Sequence, residues 1–164
     1  MVELIVAMSV FSIAISLATG AFARALRTQR MLNHLMAVNS NASLAIEQMA
    51  REIRTGYDFT FSFNPGSDCN DILSFTRSRD SIPVSYKWNP EKKSLDFKEG
   101  ERDFFPLTAS NVLVKKFCLE ETGTNPWRVT LYFTIGSINP QLAENVLNLQ
   151  TTLSSRILPS DIAP

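Results

Sequence analysis

The sequence has few of the residues from which catalytic and metal sites are built. Its 164 residues include one histidine and two cysteines, and they contain no glycine-rich phosphate loop, no Cys-x-x-Cys motif and no His-Glu-x-x-His motif. A general base needs a positioned nucleophile and an orienting group, and none can be assembled around His34 from the sequence. We therefore expect a surface or interface role for His34, and neither enzyme activity nor a cofactor nor a metal.

Net charge is also absent, because 16 Lys and Arg residues balance 16 Asp and Glu residues. Binding to nucleic acid depends on the number of phosphates that basic side chains neutralise, so no strong nucleic-acid binding is expected. The basic pairs Lys92-Lys93 and Lys115-Lys116 are predicted to be solvated, since adjacent residues of a strand point to opposite sides. With 45% hydrophobic and 20% charged residues, the chain is too apolar to be disordered.

One segment has no charged residue at all. Between Leu4 and Ala23, the only side chains with hydroxyl groups are three serines and one threonine. At about 1.5 Å per residue, roughly 20 helical residues cross the hydrocarbon core of a bilayer, which is about 30 Å thick. The segment therefore predicts a membrane-spanning helix.

The flanks of this segment differ from those of a secretory signal, in which basic residues precede the apolar core. Here Glu3 precedes it, and Arg24, Arg27 and Arg30 follow it. Read literally, the positive-inside rule would place the rest of the chain in the cytoplasm. Small residues at 21–23 keep a cleaved signal open as an alternative, although the apolar run exceeds the usual 7–15 residues. The missing basic leader leads us to expect that the precursor begins earlier.

The helical pattern continues beyond Ala23. No proline precedes Pro65, and Gly20 is the only glycine before Gly56. The sequence predicts one helix from about residue 2 to residue 55, with Gly56 as its C-terminal cap and an amphipathic second half. Its apolar stripe, which we expect to pack on a sheet, consists of Leu35, Val38, Ala42, Ile46, Met49 and Ile53.

After Gly56 the apolar period changes from helical to alternating. The predicted strands are Asp58–Phe63, Ile72–Arg77, Ile82–Trp88, Leu95–Lys98, Val112–Leu119, Arg128–Ile135 and Val146–Ser155. A hairpin is expected at 89–93, and a β-bulge at Lys115-Lys116, where the apolar phase shifts. The fold class is therefore α+β, with a long N-terminal helix packed on an antiparallel sheet. We expect residues 1–23 to form a transmembrane helix, and residues 24–164 to form a head that includes the amphipathic half of the helix.

The opening residues Val2-Glu3-Leu4-Ile5-Val6-Ala7-Met8 resemble the type IV pilin and pseudopilin family, whose precursors carry a basic leader before a Phe-x-Leu-Val-Glu-like start. Glu3 matches the single acidic residue of that segment. Many members have a proline in the second half of the apolar run, where this chain offers only Gly20. Later residues resemble the larger minor subunits of the J type: Phe105-Pro106-Leu107, Val112, Phe117, Trp127 and the closing segment Leu149–Arg156.

The resemblance implies a structural subunit of a type IV pilus-like or type II secretion filament. It implies that prepilin peptidase processes the precursor, that the mature N-terminus is methylated, and that the subunit waits in the bacterial inner membrane. The exported head then enters an extracellular or periplasmic filament with other pilin-like subunits, and Glu3 pairs with a neighbour's N-terminal amine. The alternatives are a bitopic, non-polymerising scaffold or sensor and a secreted enzyme with a cleaved signal. Major or minor status and the filament's task stay open.

An exported head lies in an oxidising compartment, so Cys69 and Cys118 are expected to form a disulfide, the alternative being two free buried thiols. Asp68 and Asp71 share one polar loop with an amide. Such oxygens can bind Ca²⁺, but an Asx turn is the simpler interpretation, and calcium binding stays open. The aromatic residues at 57, 59, 61 and 63 are predicted to serve core or subunit packing.

Overall fold

The computed structural model describes residues 2–124, 126–140 and 145–157. The chain divides into two compact units, Met1–Met36 and Ala37–Pro164. The described residues of the first unit are all helical. Those of the second unit include the end of that helix and the strands. The sequence-based boundary at residues 23 and 24 marks the end of the uncharged run and stays a prediction.

Helix α1 runs from Val2 to Arg54, as the absence of proline predicts. Glu3 lies in its first turn, and Arg51 and Arg54 lie in its last. The side-chain charges at both ends therefore interact favourably with the helix dipole. The helix closes with Thr55, whose backbone N–H and hydroxyl both donate to the carbonyl of Glu52, at 3.1 and 3.2 Å.

The predicted role of Gly56 as helix cap is wrong. Gly56 is the first residue of strand β1, and it does not have the left-handed backbone conformation that a glycine cap adopts. A glycine stands here because of space: a Cβ atom would lie 2.5 Å from Cδ2 of Phe75. The residue is required by close packing on the neighbouring strand.

In the described part of the chain, eight strands form two antiparallel sheets. The first sheet has the order β1-β2-β3-β4-β5, and the second has the order β6-β7-β8. The bounds are β1 Gly56–Ser62, β2 Ile72–Arg77, β3 Ile82–Asn89, β4 Ser94–Glu99, β5 Phe105–Pro106, β6 Val112–Thr124, β7 Trp127–Ser137 and β8 Val146–Ser154. The α+β fold class is therefore confirmed. The predicted hairpin joins β3 to β4, and Asn89 Oδ1 closes its turn by accepting from the N–H groups of Glu91 and Lys92.

Irregular pairing occurs at three places in the sheets. The register of β6 against β7 shifts between Val114 and Lys116, which confirms the predicted bulge, and shifts again between Glu121 and Gly123. Strand β1 is broken between Tyr57 and Thr60, where Asp58 has φ 57°. Aspartate tolerates this left-handed conformation better than most residues do. The bulge breaks the simple alternation of the aromatic residues: Phe59 is buried, Tyr57 and Phe61 are half-buried, and Phe63 is exposed.

The second half of α1 contributes one face to the core of the second unit. Its buried residues are Val38, Ala42, Ala45, Met49 and Ile53. The predicted stripe is thus confirmed for four residues, whereas Leu35 and Ile46 are only half-buried. At 3.6 residues per turn, Ile46 lies roughly 60° from the centre of the buried face and Ala45 roughly 40°, so Ala45 falls within that face. The core also takes its residues from both sheets.

Hydrogen bonds fix this part of the helix to the rest of the second unit. Asn41 Oδ1 accepts the N–H of Ala109 at 3.0 Å, and the carbonyl of Arg54 accepts the N–H of Arg156 at 2.9 Å. The hydroxyl of Ser155 donates to the carbonyl of Gly56 at 2.7 Å. The chain after β8 therefore returns to the end of α1.

Candidate functional site

The first unit presents an apolar helix surface that the protein itself does not cover. Every described residue from Val2 to Met31 is exposed. Large apolar side chains point in all directions around the helix axis. The most exposed are Val2 at 75%, Leu17 at 71%, Ile5 at 70%, Leu4 at 69%, Phe11 at 67%, Met8 at 66% and Phe22 at 65%. A water-soluble protein rarely exposes a contiguous apolar area of this size without a partner that covers it.

The four hydroxyl groups of this segment are satisfied within the helix. Ser9 donates to the carbonyl of Val6 at 2.8 Å, and Ser12 donates to that of Met8 at 2.8 Å. Ser16 and Thr19 donate in the same way to the carbonyls four residues earlier, each at 2.9 Å. Because each hydroxyl proton already has an acceptor, these side chains can enter an apolar environment without leaving an unpaired donor.

The ionisable groups of this unit lie at the two sides of the apolar run. Glu3 is exposed in the first turn, and its carboxylate makes no ion pair or hydrogen bond with any residue that the structure describes. Arg24, Arg27 and Arg30 are exposed after the run. His34 follows them and is half-buried. Helix α1 is long and apolar enough to cross a membrane, and its most apolar stretch is not buried in protein, which is consistent with membrane anchoring.

A second group of charges lies in the second unit, around the buried guanidinium of Arg77. Its Nη1 lies 3.2 Å from Glu52 of α1, and its Nη2 lies 2.7 Å from Asp80 in the turn after β2. Nη2 also contacts Glu99 at the end of β4. The Arg77 side chain is only 8% exposed, while its three acidic partners are 18–28% exposed. Three separate parts of the chain meet at this one cation: the end of α1, the end of β2 with its turn, and the end of β4.

The environment of Arg77 explains the perturbed acidity of two groups. The hydrogen bond to Asp80 raises the pKa of Arg77, Glu99 and Glu52 add to the effect, and desolvation opposes it. The same bond lowers the pKa of Asp80. Bonding to the charged forms stabilises them, so Arg77 and Asp80 are both ionised in the folded protein. We assign this cluster a structural role, because it joins the end of the helix to the first sheet.

Tyr86 lies in the core of the same unit and is completely buried. Its hydroxyl has no hydrogen-bond partner among the described residues. Burial is the main cause that raises the pKa of the phenol, and Glu52 adds to it. The phenol is therefore neutral in the folded protein, and its unpaired hydroxyl carries a desolvation cost.

The two cysteines lie within bonding distance of each other, and their Cα atoms are 5.7 Å apart. Cys69 belongs to the loop between β1 and β2, and Cys118 belongs to β6. The pair therefore links a loop of the first sheet to the second sheet. Next to it, the backbone N–H of Leu119 donates to the carbonyl of Asn70 at 2.8 Å.

The polar loop does not assemble its two carboxylates into one site. Asp68 is exposed, whereas Asp71 is buried and accepts from the backbone N–H and side-chain amide of Asn64, at 2.7 and 2.9 Å. Asp71 thus closes the loop from 64 to 71 rather than forming the expected turn with the residues that follow it. Among the described residues, no group of three or more His, Cys, Asp and Glu side chains could hold a metal ion.

The four lysines of the two basic pairs are exposed: Lys92, Lys93, Lys115 and Lys116.

The exposed apolar helix is the feature of this chain that most needs a functional explanation. Comparisons with family models, curated proteins and solved structures found no significant match. Function must consequently be inferred from the residues of this chain.

Proposed function

We propose that the protein is a structural subunit of a type IV pilus-like or type II secretion pseudopilus filament. The observation that carries the proposal is the uncovered apolar surface of the first half of α1, in a helix whose second half packs in the core of a β-sheet head. The same surface would lie in the bacterial inner membrane before assembly and against neighbouring helices after it. Lipid and apolar side chains are interchangeable coverings for such a surface.

Close approach of neighbouring helices favours small residues, because they allow helix backbones to come near each other. Six small residues are distributed along the run: Ala7, Ser12, Ala14, Ala18, Gly20 and Ala21. The hydroxyl of Ser12 donates to the carbonyl of Met8 in the same helix, so Ser12 would leave no unpaired donor in such an interface. At Gly20, a Cβ atom would meet nothing within 4 Å, so no packing within the chain requires glycine at this position.

In the proposed assembly, the charge of Glu3 determines how neighbouring helices align. A charged side chain inside an apolar environment costs on the order of 2.5–3.5 kcal/mol even on the lenient insertion scale, so it needs a cationic partner there. Glu3 has no such partner within the described part of the chain. We assign the role of partner to the N-terminal amine of an adjacent subunit, which would set the register of the two helices.

The competing proposal is a bitopic protein that stays in the membrane and does not polymerise. Three exposed arginines favour the bitopic proposal, because arginines directly after an apolar run anchor a helix at the membrane surface. They are Arg24, Arg27 and Arg30. In that protein Glu3 would lie in the headgroup layer, solvated and without a role. The two proposals therefore differ in what removal of the Glu3 charge does.

The experiment is to express Glu3→Ala and Glu3→Gln from the native gene and to compare membrane and sheared-filament fractions by immunoblot. Glu3→Asp keeps the charge and serves as the matched control. The filament proposal predicts normal membrane insertion for all variants, and loss of Glu3→Ala and Glu3→Gln from the filament fraction. Wild-type amounts of both neutral variants in the filaments would exclude the assembly role of Glu3.

A further inference from the structure

Strand β8 forms one edge of the second sheet. It pairs with β7 along all of Val146–Ser154 without a shift in register. Within the described residues, no backbone hydrogen bond is made to its other side. The strand contains no proline, glycine or charged residue. A long, regular, uncharged edge of this kind is a template for pairing with another strand.

The three other sheet edges of the described chain lack these properties. Strand β1 is broken by the bulge at Asp58, and its first carbonyl is occupied by Ser155. Strand β5 is two residues long and ends in Pro106. The outer side of β6 is bonded to the first sheet, because the N–H groups of Val114 and Leu119 donate to carbonyls of that sheet's loops, at 2.7 and 2.8 Å. Bulges, prolines and covering segments are the usual means of protecting an edge, and β8 has none of them.

The side chains of β8 alternate regularly between two faces. Leu147, Leu149 and Thr151 are half-buried on the face toward the core, and only Leu153 on this face is fully buried. Asn148 and Gln150 are exposed on the opposite face, with Thr152. The core is therefore incompletely covered along the open edge, where a further strand would shield Leu147 and Leu149.

We propose that β8 pairs in antiparallel orientation with β8 of a second copy of this chain, so that two three-stranded sheets join into one of six strands. The partner is a second copy because β8 complements itself. Opposed residues of an antiparallel pair lie on the same face of the sheet. A two-fold axis at Gln150, the midpoint of the strand, places Leu147 opposite Leu153 and Asn148 opposite Thr152. Leu149 then lies opposite Thr151 on the core face, so every residue meets one that occupies the same face, and no charge is desolvated.

The pairing is an interaction of the head alone, so it does not depend on the filament proposal. Its geometry gives a direct test, since directly opposed residues of neighbouring strands have Cβ atoms about 4.5–5.5 Å apart. The closest of these pairs approach the Cβ separation of a disulfide, about 3.5–4.5 Å, so cysteines at opposed positions should cross-link on mild oxidation.

The experiment uses the full chain in its native membrane, with Gln150→Cys as the probe. Oxidation should shift Gln150→Cys from the 18.4 kDa monomer to a dimer on non-reducing gels. Asn148→Cys alone should stay monomeric, because position 148 of one copy lies opposite position 152 of the other copy and not opposite position 148. Copies with Asn148→Cys, mixed with tagged copies carrying Thr152→Cys, should form a mixed dimer. Glu101→Cys, in an exposed loop, measures collisional cross-linking.

A second pair of variants, each combined with Gln150→Cys, tests whether the dimer depends on the residues of the paired face. Thr151→Lys places a charge on the face that pairing would bury, and it should abolish the Gln150→Cys dimer. Thr151→Val is the uncharged control and should preserve it. Resistance to trypsin reports that each variant is folded. Equal cross-linking at 101, 148 and 150, no dimer from either the single or the mixed pair, or a cross-link to a different protein would each overturn the proposal.

Discussion

The packing of α1 on the sheets can be tested by Met49→Ala in a fragment that begins at Arg24, which we expect to fold without detergent. Met49 is 1% exposed in the centre of the buried helix face. Truncation of a buried methionine to alanine costs about 2–5 kcal/mol, and the dense surroundings at this position lead us to expect about 3 kcal/mol. Alanine is also a better helix former than methionine, so the loss reports packing and not helix propensity.

The matched control is Leu44→Ala, on the opposite side of the same helix, where the side chain is 64% exposed. Exposed substitutions usually change stability by no more than about 0.5 kcal/mol. With a urea dependence of about 2 kcal/mol/M, Met49→Ala should lower the urea midpoint by about 1.5 M, while Leu44→Ala should leave it nearly unchanged. Far-ultraviolet circular dichroism measures both. Equal shifts for the two variants would refute the assignment of the buried face.

Three further predictions concern the second unit. Alkylation of unreduced protein from its native source should label neither Cys69 nor Cys118, and reduction should cost about 2–4 kcal/mol of stability; labelling of both cysteines would exclude the disulfide. Bonding to Arg77 lowers the pKa of Asp80 below its ordinary value of 3.8. Its contribution is therefore present above that value and lost as the pH falls through the lowered pKa, so Asp80→Asn should flatten the acid limb of the stability curve; an unchanged limb would contradict this. Tyr86→Phe removes a buried hydroxyl without a partner, so thermal unfolding should show equal or greater stability, and a loss above about 1 kcal/mol would indicate a partner for that hydroxyl.

Much of the fold can be predicted from the sequence, because its periodicities are strong. Alternation locates seven of the eight strands, and the shift of apolar phase locates the bulge at Lys115. The short strand β5 and the polar end of β6 have too few alternating residues to give such a signal. Ala45 escapes prediction because its larger apolar neighbour Ile46 fits the same three- and four-residue spacing between Ala42 and Met49.

The candidate site is predictable in one part and not in the other. An uncharged run of apolar residues is a local property, so the apolar helix can be recognised from the sequence alone. The Arg77 cluster brings together residues from α1, the turn after β2 and the end of β4, and sequence separation hides such contacts. The open edge of β8 depends equally on strand order, which alternation does not reveal.

The most direct test of the central claim is the location and N-terminus of the wild-type protein in its source organism. Sheared filaments should be probed with antibodies to the head, and the protein in them should be sequenced from its N-terminus. The filament proposal predicts head-specific signal in the filaments, from protein that retains Glu3 and the whole apolar run Leu4–Ala23. Protein found only in the membrane fraction, or mature protein beginning at Arg24, would contradict it.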